Sequence, residues 1–148
     1  MIFEPKTITG YAKAVKQLYG DGYALTGNSA EFLDPVFSSG VTFAAESGAL
    51  AAKLASRQLK GEKVDWKTEY SDYIIAGVDT FRSYVLAWYD GTFQDIIFAP
   101  NVNASNKNKI CSVLAGYVWD QTNPYVKKHK RILGTLARVI QLETNQSG

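Results

Sequence analysis

Residues 27–41 are the most informative stretch for the fold, and they read Gly-Asn-Ser-Ala-Glu-Phe-Leu-Asp-Pro-Val-Phe-Ser-Ser-Gly-Val. Glycines near both ends let the backbone approach a ligand closely, because no Cβ stands in the way. Ser38 or Ser39 is expected to cap a helix that begins within two residues of Gly40. The free N–H groups and positive end of such a helix favour an anion or a developing negative charge. The stretch therefore predicts either a ligand-binding loop or an ordinary capped helix after a tight loop.

The residues before this stretch predict a β-hairpin. Apolar side chains recur through residues 7–19 without a helical stripe, and a second apolar run lies within 22–26. Asp21-Gly22 stands at the junction, and Asp-Gly is a strong turn signal because glycine accepts positive φ. Two antiparallel strands are therefore predicted over these ranges. Because two strands alone form a marginal sheet, we expect the hairpin to be part of a larger sheet.

The residues after it predict helices. Apolar and small residues near helical spacing indicate a helix over 41–60, and Asp65 is a suitable N-cap for a second helix over 66–90. Further helices are predicted over 93–98, 108–120 and 126–142, with a polar loop at 101–108. The fold class is therefore α+β and mostly α, an N-terminal β-hairpin followed by four or five helices.

Composition limits the classes of protein that remain. With 148 residues, 46% hydrophobic and 20% charged, the chain has room for one domain and is not of the disordered class. A formal net charge of +2 is too small to argue for nucleic acid. One cysteine and one histidine leave no disulfide framework and few metal ligands, so no metal site is expected and a reducing, cytoplasmic setting is predicted. No apolar run approaches the ~20 residues of a membrane helix, so no membrane contact is expected.

Several other signals favour structural explanations. His129 lies in a basic run, Lys127 to Arg131, with no sequence hint of a serine partner, and we interpret the run as a solvated helix face. Cys111 is expected to be a buried thiol and not a nucleophile. A stripe of apolar and aromatic residues along the second helix is expected to be core; it comprises Trp66, Tyr70, Tyr73, Ile74, Phe81, Tyr84, Val85 and Trp88.

The quoted stretch closely resembles the second flavin-binding motif of flavin-dependent halogenases, the tryptophan-halogenase-like family. The resemblance continues through residues 19–25, 64–66, 77–82, 88–91 and 114–117, and covers about 7–140 in all. It implies an incomplete FAD-binding domain of the glutathione-reductase/hydroxylase type. It divides the chain into 1–61, the C-terminal part of that domain, and 62–148, a helical C-terminal region.

The resemblance also implies roles for individual residues. Gly27 and Asn28 match the pair beside the ribityl and pyrophosphate portion of FAD, and Pro35 matches the loop proline near the isoalloxazine ring. The backbone amides of Ser39 and Gly40 match positions associated with halide binding. The implied cofactor-binding set is Gly27, Asn28, Pro35, Ser38, Ser39, Gly40 and Val41.

Two departures from the family pattern bear on function. Asn28 stands where the wider flavoprotein group usually has Asp, which removes a formal charge but keeps a hydrogen-bonding side chain. The family's N-terminal half, with its glycine-rich fingerprint and reactive lysine, has no match here. We therefore expect a C-terminal fragment that holds no catalytic residue and is inactive alone, with the missing N-terminal half as an expected partner.

Three functions remain open at this point. The first is halogenation of an organic substrate, which we expect to be aromatic, with reduced FAD, oxygen and halide. A flavin reductase is the expected partner that supplies the reduced FAD. The second is a flavin monooxygenase or geranylgeranyl-reductase-like oxidoreductase that does not use halide. The third belongs to another class, a non-catalytic helical interaction module.

Overall fold

A computed structural model describes residues 7, 9–10, 12–100 and 102–146 of the chain, which are mostly helical with two very small sheets. The strands are β1 Lys13–Ala14, β2 Tyr19–Gly20, β3 Tyr23–Ala24 and β4 Glu31–Phe32. The helices are α1 Gly40–Leu59, a π-helical segment Lys67–Asp72 that runs into α2 Tyr73–Tyr89, α3 Thr92–Phe98, α4 Ala104–Leu114, α5 Pro124–Lys127 and α6 His129–Gln146. The mostly helical α+β class is thus confirmed.

The predicted hairpin forms, but its first strand is much shorter than expected. β2 pairs antiparallel with β3 around Asp21 and Gly22, and Gly22 has φ +74°. A continuous strand over 7–19 was the wrong prediction, because β1 pairs instead with β4, joining Lys13 to Phe32. Residues 12–17 are exposed, so they have no core face that would hold a long strand in register. Positions 8 and 11 lie outside the described residues.

The first two predicted helices are confirmed. α1 begins at Gly40 and ends at Leu59. Asp65 caps the second helix as expected, because its carboxylate accepts hydrogen bonds from the N–H groups of Lys67 at 3.1 Å and Thr68 at 3.3 Å. The short helix predicted over 93–98 is present as α3.

The bounds predicted for the last helices were wrong. Residues 104–108, predicted as loop, belong to α4, because the Asn103 side chain accepts a hydrogen bond from the N–H of Ser105 at 2.8 Å and starts the helix there. α4 ends before Gly116, whose φ of +101° no helix tolerates. The helix predicted over 126–142 is two helices. Asn123 caps α5, and the backbone of Lys128, with φ −125°, leaves the helical conformation between α5 and α6. Position 101 lies outside the described residues.

The core lies where the aromatic stripe of the second helix was expected to be. Tyr70, Ile74 and Phe81 are at most 1% exposed, whereas Tyr73 is 38% exposed. Further fully buried side chains come from other elements: Leu54, Phe93, Ile96, Ile110, Val113, Val118 and Val126. The core thus joins α1 to α2 and the C-terminal helices.

Two further details bear on the sequence predictions. Cys111 is exposed, so the prediction of a buried thiol was wrong; its neighbours Ile110 and Val113 occupy the inward face of α4. Among the described residues, no helix combines the length and the apolar character that a membrane crossing requires.

Candidate functional site

A cleft of about 430 Å³ lies between the loop that precedes α1 and the first turn of that helix. Its lining combines polar and apolar residues: Asn28, Glu31, Phe32, Leu33, Pro35, Ser39, Gly40, Val41, Phe43 and Ala44. Five of the seven residues predicted to bind a cofactor are among them. Gly27 and Ser38 belong to the same loop but do not line the cleft. The structure therefore brings most of the predicted set together, while their roles toward a ligand stay predictions.

The loop folds into two short 3₁₀ turns before α1 begins. Asp34 accepts a hydrogen bond from the N–H of Val36 at 3.2 Å, and Pro35 stands at the first position of the second turn, where a missing N–H costs nothing. Ser38 ends this turn with φ +55° and ψ +36°. Few residues other than glycine adopt this left-handed conformation, which occurs preferentially where function constrains the backbone.

The start of α1 differs in one respect from the prediction. Ser39 occupies the N-cap position, but its side chain makes no capping hydrogen bond and its backbone is already helical, with φ −70°. Its carbonyl accepts the N–H of Phe43 at 3.1 Å. The predicted start of the helix, with Ser39 at its N-cap position, is confirmed, but the Ser39 side chain does not cap the helix. The first N–H groups of α1 are therefore left for another acceptor.

Gly27 and Gly40 serve different purposes in this arrangement. Gly27 has φ +55°, donates its N–H to the Ser47 hydroxyl at 2.8 Å, and would place a Cβ 3.3 Å from the Cβ of Ala44. It holds the loop against α1. A Cβ on Gly40 would meet only the Asn28 Oδ1, at 3.6 Å, so this position opens onto free space in the cleft.

One ion pair reaches the cleft from the helical region. Glu31 lines the cleft with a side chain only 6% exposed, and its Oε1 lies 2.9 Å from a guanidinium nitrogen of Arg82 in α2. Arg82 also pairs with Asp79, one turn earlier in the same helix. Sequence reasoning missed this pair because 51 residues separate its members. The one available signal was the acidic residue itself, which stands directly before two apolar residues, Phe32 and Leu33.

Aromatic contacts anchor the cleft on the core. Phe43 meets Phe81 and Trp119 edge to face, with ring centroids 5.5 Å and 5.8 Å apart. Trp119 also stacks on Tyr73 at 5.3 Å and donates its indole N–H to the Tyr73 carbonyl at 2.7 Å. Burial and a hydrogen bond to Glu46 raise the pKa of Tyr73 to about 12, so this phenol stays neutral. These contacts fix the position of the Phe43 ring, which lines the cleft.

His129, for which the sequence suggested no serine partner, has one. Its Nδ1 lies 2.7 Å from the Ser83 hydroxyl, and that hydroxyl donates its own hydrogen to the Thr80 carbonyl at 2.7 Å. The histidine must therefore donate a hydrogen bond from Nδ1 to the serine hydroxyl. In this arrangement the imidazole does not act as a base that activates Ser83 as a nucleophile. Burial and nearby Lys130 lower the pKa of His129, while Asp79 acts in the opposite direction.

A second, larger hollow of about 790 Å³ lies between the hairpin turn and the C-terminal half of α1. It is lined by Gln17, Tyr19, Gly20, Asp21, Gly22, Tyr23, Ala24, Ala51, Ala52, Ala55, Gln58, Leu59 and Trp66. Small alanine side chains form its α1 wall, and Tyr23 and Leu59 on its rim are 52% and 89% exposed. This hollow offers a groove of small and apolar residues and no helix N-terminus, so it is not the place where an anion is expected.

Comparison with known proteins adds to this geometry. No family model matches the chain. The chain is 33% identical over 72 residues to a 1H-pyrrole-2-carbonyl-(peptidyl-carrier protein) brominase of Pseudoalteromonas luteoviolacea, covering 49% of this chain and 17% of that enzyme. It is 30% identical over 81 residues to the corresponding chlorinase of Pseudomonas fluorescens, covering 53% of this chain and 18% of that enzyme.

A solved structure matches almost the whole chain. It is a flavoprotein/dehydrogenase from Cytophaga hutchinsonii, 57% identical in sequence with a TM-score of 0.92, and the match covers 97% of this chain and 35% of that one. The chain thus spans about a third of this relative and less than a fifth of the two halogenating enzymes. These likenesses confirm the resemblance to the C-terminal portion of a flavin-dependent halogenase or related FAD-dependent oxidoreductase.

Proposed function

We propose that the chain forms one side of the flavin site of an FAD-dependent, halogenase-like oxidoreductase. The observation that carries this proposal is the cleft at the start of α1, which collects Asn28, Pro35, Ser39, Gly40 and Val41. Those are the positions at which the resemblance implies cofactor contact. In this proposal residues 1–61 belong to the FAD-binding domain and 62–148 form the helical C-terminal region.

The residues present fit part of such a cofactor. The volume of about 430 Å³ falls within the roughly 300–1,000 Å³ of ligand pockets, and the site is a cleft rather than an enclosed cavity. The open space at Gly40 admits a flat ring against bare backbone. The cleft therefore suits the ring end of FAD and the portion next to it, with the adenine end of the cofactor held elsewhere.

The chain's own groups would bind and orient the cofactor. Pro35 would bound the ring, and Gly27 and Asn28 would lie beside the ribityl and pyrophosphate portion. The N–H groups of Ser39 and Gly40 would face negative charge on the reduced ring or a halide ion, which the positive end of α1 favours. When bound and reduced, FAD supplies the redox chemistry with oxygen.

The two halogenating relatives support halide as co-substrate and an electron-rich aromatic ring as substrate. Their names give a pyrrole carbonyl group carried on a protein as the substrate of those enzymes. A separate flavin reductase would supply reduced FAD. A halide-independent FAD oxidoreductase is the second candidate, and the relative named flavoprotein/dehydrogenase favours it.

A chimera tests the proposal directly. The matched 35% of the Cytophaga flavoprotein is replaced by this chain, and retained flavin is measured by absorbance after desalting. We expect a yellow protein that becomes colourless with Gly40→Val, because branches at Cβ would enter the space open to the ring. Gly134→Val, at an exposed position within α6, is the matched control and should keep the colour.

The same chimera separates the two candidates. Bromide-dependent appearance of a brominated pyrrole, detected by mass spectrometry with a flavin reductase present, would support the halogenase. Flavin turnover without any bromide dependence would support the second candidate. A colourless chimera that is folded by circular dichroism would contradict both.

A further inference from the structure

The ion pair between Glu31 and Arg82 stands out among the charged groups near the cleft. Glu31 is the ionisable residue in the cleft lining, and its side chain is 6% exposed. Its Oε1 lies 2.9 Å from one guanidinium nitrogen of Arg82, whose other terminal nitrogen pairs with Asp79. A buried carboxylate of this kind is tolerated only when it is paired.

The position of this carboxylate conflicts with the binding of an anion unless its charge is offset. A halide or a negatively charged ring beside Ser39 and Gly40 would share the cleft with Glu31. Like charges within several ångströms at partly buried sites repel strongly enough to change affinity by an order of magnitude. Arg82 supplies the opposite charge, and Asp79, which is 38% exposed and better solvated, fixes the direction of the guanidinium.

We infer that Arg82 is a positioning residue that sets the charge of the cleft through Glu31, and so determines that the cleft accepts an anion. This inference rests on the proposed function, because the anion is the halide proposed there. Arg82 acts from α2 and does not line the cleft itself. The helical region thereby controls the electrostatic potential at the start of α1.

The inference makes a signed prediction that a purely structural ion pair does not make. If the pair only held the loop in place, loss of either partner would weaken anion binding. If the pair sets the charge, Arg82→Met leaves Glu31 and Asp79 without their shared cation and weakens binding. Glu31→Gln removes the negative charge from the cleft lining, leaves Arg82 paired with Asp79, and strengthens binding. The double variant, with both charges removed, returns near the starting affinity.

The experiment uses the 148-residue chain and sodium bromide as the probe. Amide shifts of Asn28, Ser39, Gly40 and Val41 are followed by two-dimensional NMR while bromide replaces fluoride at constant ionic strength. We expect the bromide Kd to rise roughly tenfold in Arg82→Met, to fall several-fold in Glu31→Gln, and to stay within about twofold in the double variant. Arg82→Lys, which keeps the charge, should restore most of the affinity.

A matched control is available in Arg57. This residue also bridges two carboxylates, Glu62 and Glu69, and its side chain is 32% exposed against 36% for Arg82. It does not line the cleft. Arg57→Met changes the net charge by the same amount and should leave the bromide Kd unchanged.

The outcomes separate this inference from the proposed function. The inference is supported if Glu31→Gln binds bromide more tightly than wild type and wild type binds it more tightly than Arg82→Met. Saturable bromide shifts with both variants weakened, or with neither changed, overturn it and leave the halide site standing. If Arg82→Met does not fold, the ratio between wild type, Glu31→Gln and the double variant still decides, and a double variant as tight as Glu31→Gln overturns the inference. The absence of saturable shifts in wild type overturns the halide site and the inference together.

Discussion

Gly27 and Gly40 stand at the two ends of the loop before α1, and the space around each decides what an alanine would do there. At Gly27 the φ of +55° strains any L-residue, and the added Cβ would press on Ala44 at 3.3 Å. We expect Gly27→Ala to lower the free energy of unfolding by at least ~1 kcal/mol. Gly40→Ala should change it by less than about 0.5 kcal/mol, because nothing lies within ordinary contact distance except Asn28 Oδ1. Urea unfolding checks both, and equal losses would contradict this account.

His129 should give the chain a pH dependence of stability that a single substitution removes. Its pKa in the folded state is lowered, chiefly by burial, so the unfolded chain takes up a proton first as pH falls. The unfolded state then binds more protons, and the free energy of unfolding decreases as pH falls below about 6.5. Because the sequence holds one histidine, His129→Gln should flatten this decrease between about pH 7 and 5.

The control for that experiment is Ser83→Ala, which removes the partner hydroxyl but keeps the imidazole in the same surroundings. It should lower stability at every pH and retain the slope. A slope that persists in His129→Gln would assign the titration to another group.

At the scale of elements, the helices carry two glycines on which the same substitution has opposite expected effects. In α2, a Cβ on Gly77 would overlap the indole ring of Trp119, which is held by its stack on Tyr73 and its hydrogen bond to the Tyr73 carbonyl. We expect Gly77→Ala to destabilise by about 1–3 kcal/mol, the usual range for overpacking.

In α6, a Cβ on Gly134 would meet nothing within 4 Å, and the residue is exposed. Gly134→Ala should therefore stabilise by roughly 0.5–1 kcal/mol through helix propensity. Thermal or urea unfolding of the two variants compares them directly. Destabilisation by Gly134→Ala would mean that this face of α6 is covered by something.

The elements also show which parts of the fold the sequence could predict. Helices with a capping side chain and a long apolar stripe, such as the one after Asp65, were predictable because both signals are local. The start of α4 was missed because Asn103 stands in a run of polar residues where a cap looks like any loop asparagine. The pairing of β1 with β4 was missed because β4 lies within residues 27–41, which were predicted as a loop, and strand pairing between distant segments leaves no local trace.

For the molecule as a whole, the sequence could predict which stretch of the chain contains the candidate site. It could not predict which residues from other elements surround that stretch. The glycines and serines of 27–41 indicated where backbone would face a ligand. The Glu31–Arg82 pair arises from packing of β4 against α2, and the aromatic contacts of Phe43 arise from packing between α1, α2 and the turn that holds Trp119. Contacts across 50 or more residues depend on the complete fold, so no local pattern reports them.

The surface of α1 leads to the last prediction, which concerns the chain by itself. Val41 and Leu59, at opposite ends of this helix, are 82% and 89% exposed, and alanines between them are exposed as well. Contiguous apolar surface of this kind marks a contact region or an aggregation risk. The cleft is open and holds only about 430 Å³, whereas cofactor sites bury 70–90% of their ligand. We therefore expect the purified chain to be colourless, to bind FAD weakly, and to self-associate.

Two measurements check this expectation, an absorbance titration with FAD and light scattering behind a sizing column. Leu59→Lys should reduce self-association, because it places a charge on the exposed end of α1 and rests on no buried contact. It should leave the weak FAD binding unchanged, since Leu59 borders the larger hollow and not the cleft. Lys60→Leu, the reverse exchange at the next position, which is also exposed, should increase self-association. A monodisperse, yellow complex of micromolar affinity from this chain alone would show that one wall of the cleft suffices to hold the cofactor.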